Sequence, residues 1–191
     1  MILKARRQRQ TQFSSILDLQ QKPSIMCGFT LPDDNEITAW HEAGHAMMAI
    51  LQGGRLERVT LEPPFDDGPA RYGDTVTRWT GLGAKELALA EIYVSLAGPV
   101  VEMIYTGDRV AIASEPEWLA DWQRAKLSAA AMSRDAASAG KLLRQTVSAI
   151  FELFEDRHQW AAVSAIADDL LAFETLEHDQ VADTIAFWQR R

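Results

Sequence analysis

Two residue types that mark large classes of proteins are scarce in this chain. Cys27 is the only cysteine among 191 residues, so an intramolecular disulfide is impossible, and a lone thiol fits a reducing compartment. Basic residues are also in deficit, because 19 Lys and Arg face 27 Asp and Glu and leave a net charge of −8. Phosphate binding needs a basic surface, and we therefore expect no nucleic-acid partner.

Long hydrophobic runs and targeting signals are missing as well. The most apolar stretch, residues 92–105, is short for a helix that spans a bilayer, and it contains Glu102. No basic and then apolar leader with a small-residue cleavage site opens the chain. We therefore predict a cytoplasmic protein with no transmembrane segment.

The remaining composition is typical of one globular domain, since 47% of the residues are hydrophobic and 24% are charged. The charge is uneven along the chain. Residues 1–30 contain five basic residues and one acidic residue, about +4, which leaves about −12 for the rest. We predict a basic N-terminal arm over residues 1–30, which is partly disordered or docks on an acidic surface, and a folded domain over 31–191.

Hydrophobic periodicity predicts a mainly α fold with one small antiparallel β-hairpin. Asp33-Asp34-Asn35 offers N-caps for a first helix that ends at Gly53 and Gly54. Two segments of alternating polarity, residues 55–61 and 71–79, predict the hairpin.

The rest of the chain has the pattern of helices. A helix over residues 85–105 is predicted to be interrupted at Gly98-Pro99 and to close near Gly107. Ser114 and Glu117 fit a capping box that opens the next helix, which runs to about residue 132. Further helices are predicted over residues 136–155, 159–172 and 177–188, the last with Thr175 as its N-cap.

The first helix contains the motif His41-Glu42-Ala43-Gly44-His45, an HExxH. Histidines four apart lie on one helical face, about 5.4 Å from each other, where both imidazoles can reach one Zn²⁺. The glutamate beside them can accept a proton from water at such a metal. A histidine pair on a helix can also be an ordinary surface or core pair. Here the apolar neighbours Trp40 and Met48 predict that the two imidazoles and the glutamate are buried, and a bound metal compensates the cost of burying these polar groups.

A catalytic zinc keeps three protein ligands, so a third residue must come from elsewhere in the chain. Asp121, one turn beyond the predicted capping box, is the first candidate, and Glu102 on the preceding helix is the second. Glu117 and His158 are further alternatives. Ni²⁺ or Co²⁺ also suits these ligand types, although zinc is the expected ion.

Several segments of the chain resemble the peptidase domain of FtsH-type proteases, zinc peptidases that are normally fused to a membrane-anchored AAA ATPase. The resemblance begins with the HEAGHA sequence of residues 41–46 and covers about residues 35–187. The other segments that carry it are Arg58-Val59-Thr60-Leu61-Glu62-Pro63, Leu96-Ala97-Gly98-Pro99-Val100-Val101-Glu102, Asp121-Trp122-Gln123-Arg124-Ala125 and residues 166–176.

The resemblance implies a helical, zincin-like metallopeptidase domain in which Asp121 is the third zinc ligand. Glu102 then has a supporting role, in which its carboxylate orients a liganding imidazole. The chain departs from the family pattern at Pro99, where the family has arginine, and over residues 114–120, which replace its usual approach to the third ligand. These departures affect substrate preference and the contacts between subunits.

These observations predict a zinc endopeptidase that hydrolyses unstructured polypeptides with Glu42 as general base. The 191 residues contain no Walker A loop, so we expect no ATPase within them and consider a separate ATPase as a partner. By resemblance the chain forms a homo-oligomer, a hexamer. The alternative is a regulatory or interaction module that keeps the peptidase fold and the metal site and binds a partner protease or ATPase.

Overall fold

Six helices and three short strands build the part of the chain that the structure, a computed structural model, describes: residues 33–62, 73–108 and 110–190. The predicted basic arm and the loop between the two strands of the hairpin lie outside the described residues. In chain order the elements are α1 (Asp34–Leu51), β1 (Arg55–Thr60), β2 (Asp74–Arg78), α2 (Ala84–Thr106), α3 (Leu119–Met132), α4 (Ala136–Glu155), α5 (Arg157–Phe173), β3 (Thr175–Leu176) and α6 (His178–Gln189).

The predicted mainly α fold is confirmed, and the β part is a three-stranded antiparallel sheet in the order β2-β1-β3. β1 pairs with β2 from Arg55 opposite Arg78 to Thr60 opposite Asp74, with an irregularity between Leu56 and Arg58. The third strand was not predicted. A two-residue strand has too few positions to show alternation, and it pairs with β1 only because α5 brings it there.

The helix that carries the HExxH, α1, begins and ends where the sequence predicts. The Asp33 carboxylate accepts a hydrogen bond from the Glu36 amide at 2.8 Å, and Gly53 follows the helix with φ 82°. Trp40 of α1 stacks between Tyr105 of α2 and Trp160 of α5, with ring centroids 4.4 and 4.8 Å apart. These stacked rings hold the middle of α1 against two other helices.

The prediction that Gly98-Pro99 interrupts α2 is wrong, because the helix continues through both residues to Thr106. A proline inside a helix costs about 3 kcal/mol, since it removes one hydrogen bond and crowds the preceding turn. Burial of Leu96, Val100 and Val101 contributes roughly 1.5–3 kcal/mol each, which outweighs that cost. Tertiary packing therefore keeps α2 continuous.

Because α2 is continuous, it extends well beyond residues 92–105, the most apolar stretch of the sequence. Among the described residues it is the one helix that by length and composition could cross a membrane, with 23 residues and a mean hydropathy of 1.6 in its most apolar window. Of that window, 61% is buried inside the fold, where α2 packs against α1, α3 and α4. A buried core helix has the same length and composition, so this pattern by itself is weak evidence for a membrane span.

Two predicted helix caps are wrong. Ser114 does not cap α3: its hydroxyl donates to the Ala111 carbonyl, and two 3-10 turns, Ile112–Ser114 and Pro116–Trp118, precede α3. Pro116 is suited to the first position of a short turn, which is where it lies. At the other end of the chain Thr175 lies in β3, and Glu177 is the N-cap of α6.

The core lies between α1, α2 and α5, with α3 and α4 on one side of α2 and α6 against α5. Gly44, inside the HExxH, faces α2 where it crosses α1. A Cβ on Gly44 would lie 2.9 Å from the Ala97 carbonyl oxygen and 3.0 Å from the Val101 side chain. The absence of a side chain at Gly44 therefore lets α1 and α2 approach closely, and this brings α2 up against the two histidines.

Candidate metal centre

The two histidines of α1 are turned so that the same ring nitrogen of each faces the same space. His41 Nδ1 lies 2.9 Å from the Glu102 carboxylate of α2, and His45 Nδ1 lies 2.7 Å from the Val94 carbonyl oxygen of the same helix. Both partners are acceptors, so each Nδ1 carries the proton and each Nε2 has a free lone pair. His45 is 6% exposed, so these orientations are fixed by packing as well as by hydrogen bonds.

A carboxylate from α3 completes the cluster. Asp121 Oδ2 lies 3.2 Å from His41 Nε2 and 3.4 Å from His45 Nε2, and the two Nε2 atoms are 2.9 Å apart. Four ligands at about 2.0–2.1 Å around a tetrahedral zinc are about 3.3–3.4 Å from one another. The triangle formed by these three atoms is therefore close to one face of a zinc tetrahedron.

The charges of the three atoms also point to a cation. With both Nδ1 atoms protonated, two imidazole lone pairs and one carboxylate oxygen face each other at 2.9–3.4 Å. Three electron-rich atoms at this separation repel each other unless a positive charge lies among them. The donor set of two imidazoles and one carboxylate suits a divalent metal such as zinc, and among the described residues this is a group that can hold one.

The acid–base properties of the cluster follow from the same repulsion. Burial by itself lowers the pKa of His41, but the Asp121 and Glu102 carboxylates outweigh it and raise that pKa to about 10. Burial tends to raise the pKa of Asp121, but His45 and His41 hold it well below its usual range. Without a metal, a proton on His41 therefore supplies the positive charge that the cluster requires.

Glycine at position 98 of α2 makes room for the cluster. A Cβ on Gly98 would lie 2.4 Å from His45 Nε2 and 2.8 Å from His41 Nε2, closer than real Cβ atoms approach such neighbours. The helix backbone therefore forms one wall of the site, directly against both imidazoles. The sequence shows this glycine beside Pro99, but only the crossing of α1 and α2 explains why no larger residue fits.

Glu42 is 6% exposed and is held by the sheet, apart from the three clustered atoms. The Thr75 hydroxyl of β2 donates to Glu42 Oε2 at 2.6 Å. Gly73, at the start of β2, leaves space over the same side chain, since a Cβ there would lie 2.2 Å from Glu42 Cγ. The carboxylate is therefore buried in a fixed position beside the histidines.

These groups line a cavity of about 230 Å³ between α1, α2, α3 and the start of β2. Besides the cluster and Glu42, its wall includes Asp74, Glu117 and one cation among the described lining residues, Arg124 of α3. The cavity is partly open to solvent, and polar and apolar groups contribute about equally to its wall. It combines a cation-seeking cluster, a buried carboxylate and access for a ligand.

Six of the seven site residues that the sequence singles out line this cavity: His41, Glu42, His45, Glu102, Glu117 and Asp121. Asp121 lies at the Nε2 atoms of both histidines, whereas Glu102 contacts Nδ1, the far ring nitrogen of His41, and accepts a 2.8 Å hydrogen bond from Trp118 Nε1. Glu117 lines the cavity without joining the cluster, and His158 lies elsewhere, where its Nε2 accepts from Arg157. Sequence reasoning did not identify four residues that hold the site, Thr75, Val94, Gly98 and Trp118, because single residues of common type give no local signal.

Comparison with known proteins agrees with this chemistry in general terms. A family model described as Peptidase M50B-like matches residues 30–109. The matched region includes both histidines, Glu42 and Glu102, and it ends before Asp121. No curated protein matches the chain. The match supports a metallopeptidase-type domain and a metal, typically zinc, at the cluster.

Proposed function

We propose that this chain is a zinc-dependent endopeptidase that hydrolyses unstructured polypeptides. His41, His45 and Asp121 hold the zinc ion, and Glu42 is the general base. The observation that carries the proposal is the convergence of three electron-rich ligand atoms, 2.9–3.4 Å apart, beside a separate buried carboxylate. A structural zinc site has four protein ligands, whereas three ligands and an open side are typical of catalysis.

When bound, zinc supplies Lewis-acid chemistry: it polarises a carbonyl and lowers the pKa of water to about 7. The protein's own residues do the rest. Glu42 accepts the proton of the attacking water and passes it to the leaving amine, so the same carboxylate serves as base and then as acid. The Thr75 hydroxyl, 2.6 Å from Glu42 Oε2, keeps that carboxylate oriented through both transfers.

Glu102 has a positioning role in this proposal. It holds His41 Nδ1 at 2.9 Å and is itself held by Trp118 Nε1 at 2.8 Å. A carboxylate on the far nitrogen of a liganding imidazole selects its tautomer and increases its basicity. The FtsH-type resemblance implies the same division of roles, with Asp121 as ligand and Glu102 as support.

The shape of the site supports an extended substrate. A cavity of about 230 Å³ admits part of one extended chain and excludes a folded domain. Asp74 and Thr75 of β2 line the cavity, and β2 is an edge strand of the described sheet. An extended peptide that pairs with this edge would pass in front of Glu42. Delivery of folded substrates would then require a separate ATPase, and a hexamer, as the FtsH-type resemblance implies, is the assembly we propose for that delivery.

The test uses casein, a tightly folded control protein and Glu42→Gln. We expect casein to be cleaved, the folded protein to resist, and a chelator to stop cleavage until zinc is restored. Glu42→Gln should keep its zinc and lose about 10²–10⁴-fold in kcat. Glu152→Gln, on the exposed face of α4, is the matched control and should cleave at the wild-type rate.

Equal cleavage of both substrates, cleavage in the presence of chelator, or full activity of Glu42→Gln would each contradict the proposal. A protein that binds zinc tightly and cleaves no peptide would favour the alternative interaction module.

A further inference from the structure

A second cavity, larger than the one at the metal cluster, lies on another side of α3. Its volume is about 630 Å³, within the 300–1,000 Å³ of sites that hold small molecules. It is bounded by the end of α2, the turn over residues 110–113, α3 and α4, and its wall includes Met103, Trp122, Leu143 and Phe151. The wall is largely apolar, so a ligand that fills the cavity must be apolar over most of its length.

Two cations belong to the same cavity wall, Lys126 of α3 and Arg144 of α4. Both side chains are exposed, and neither forms an ion pair with any residue that the structure describes. Arg144 folds back along α4, since its Nη1 is 3.4 Å from the place where Gly140 would carry a Cβ. Gly140 itself lines the cavity, so the guanidinium lies at the cavity wall.

Two cations without an ion-pair partner among the described residues are unexpected beside an apolar cavity in a chain with a net charge of −8. We propose that this cavity binds an aliphatic monocarboxylate, with the alkyl chain against the apolar wall and the carboxylate between Lys126 and Arg144. Each CH₂ that leaves water favours binding, and the anionic head meets two cations that no described carboxylate pairs with. The basic arm over residues 1–30 is a poorer occupant, because its charge has the same sign as the two cations. The proposal does not rest on peptidase activity.

The test is calorimetric titration of the full-length protein with dodecanoate, kept below the concentration at which it forms micelles. Dodecanol, which has the same chain and no charge, is the matched ligand. We expect one saturable site for dodecanoate and about tenfold weaker binding of dodecanol, since each of the two exposed ion pairs contributes no more than about fivefold and the two act together.

Two pairs of variants test the position of the site. The double variant Lys126→Ala/Arg144→Ala should lose the preference for dodecanoate over dodecanol. Arg134 and Lys141 are exposed cations outside the cavity wall, so the double variant Arg134→Ala/Lys141→Ala should retain that preference. Ala130→Phe places a phenyl ring in the cavity and should strongly weaken the binding of both ligands.

Ala131→Phe, at the next position of α3 and outside the wall, is the control for Ala130→Phe and should bind like the wild type. Circular dichroism checks that each variant is folded.

Several results would overturn the proposal. Equal affinity for dodecanoate and dodecanol would remove the role of the cations, and detergent-like uptake without saturation would remove the single site. Dodecanoate binding that Ala130→Phe leaves unchanged would locate the ligand elsewhere. Self-association that Ala130→Phe disrupts, with no dodecanoate binding, would identify the cavity as an interface between copies of the chain.

Discussion

Replacement of Gly98 by alanine tests whether α2 lies directly against the two histidines. The new Cβ would lie 2.4 Å from His45 Nε2 and 2.8 Å from His41 Nε2, whereas real Cβ atoms stay at least 3.0 Å from such atoms. The His45 ring would therefore have to retreat by about 0.6 Å or more, and both imidazoles are affected because the same methyl group touches each.

The size of this displacement decides the expected effect. Metal–ligand distances in functional sites vary by only about 0.2 Å, so a shift of about 0.6 Å removes His45 from productive coordination. Loss of groups that merely orient a ligand costs about 10–100-fold in metal affinity. Displacement of a ligand itself should cost at least about 100-fold, or roughly 2.8 kcal/mol.

The expected loss is specific to metal, because alanine is otherwise the better residue in a helix by about 0.5–1 kcal/mol. Gly140→Ala in α4 is the matched control, since its Cβ would meet only the flexible end of Arg144 at 3.4 Å. That variant should bind zinc like the wild type and unfold at a slightly higher denaturant concentration.

The assay is a competition titration in which a chromophoric chelator and the protein share zinc, repeated for wild type, Gly98→Ala and Gly140→Ala. Thermal unfolding with and without zinc gives an independent reading, since bound metal stabilises the folded state in proportion to its affinity. Wild-type zinc affinity in Gly98→Ala would refute the close approach of α2 to the imidazoles, and with it the account of how the site is built.

Further predictions concern other contacts. Asp121→Asn should abolish tight zinc binding in the competition titration while the far-ultraviolet circular dichroism is unchanged, and normal affinity would remove Asp121 as a ligand. Glu102→Gln should lower zinc affinity by about 10–100-fold, because it only orients His41; an effect as large as that of Asp121→Asn would make Glu102 a ligand. Burial and the hydrogen bond to Glu36 raise the pKa of Tyr105 to about 12 from its ordinary value of 10.0. The neutral phenol therefore stabilises the fold below pH 10, and this stabilisation is lost as pH rises from 10 through 12. Urea unfolding should show the wild type losing stability over that interval relative to Tyr105→Phe, and parallel curves would contradict the shift.

Elements with strong local signals could be predicted from the sequence. The bounds of α4 were predicted to the residue from its regular apolar stripe, and α1 was predicted to within a few residues from the N-cap candidates at 33–35 and the glycines at 53 and 54. The strand pair β1 and β2 was predicted from alternation of polarity. These are properties of neighbouring residues, and they need no knowledge of the rest of the fold.

Predictions failed where packing outweighed a local rule. Pro99 predicts a break in α2, but buried neighbours keep the helix continuous. Ser114 and Glu117 match a capping box by spacing, yet Pro116 between them directs the chain into short 3-10 turns. Thr175 resembles an N-cap, but pairing with β1 makes it part of a strand.

The sequence by itself determined that two histidines and a glutamate share one helix, because they lie within five consecutive residues of a segment with helical periodicity. Only the tertiary structure decided the rest of the site. Thr75 is 33 positions from Glu42 and Asp121 is 80 positions from His41, yet the packed fold brings both to the HExxH. In the same core α1 and α2 cross so closely that Gly98 touches both imidazoles. Such an approach depends on the whole packed core, and no stretch of sequence encodes it alone.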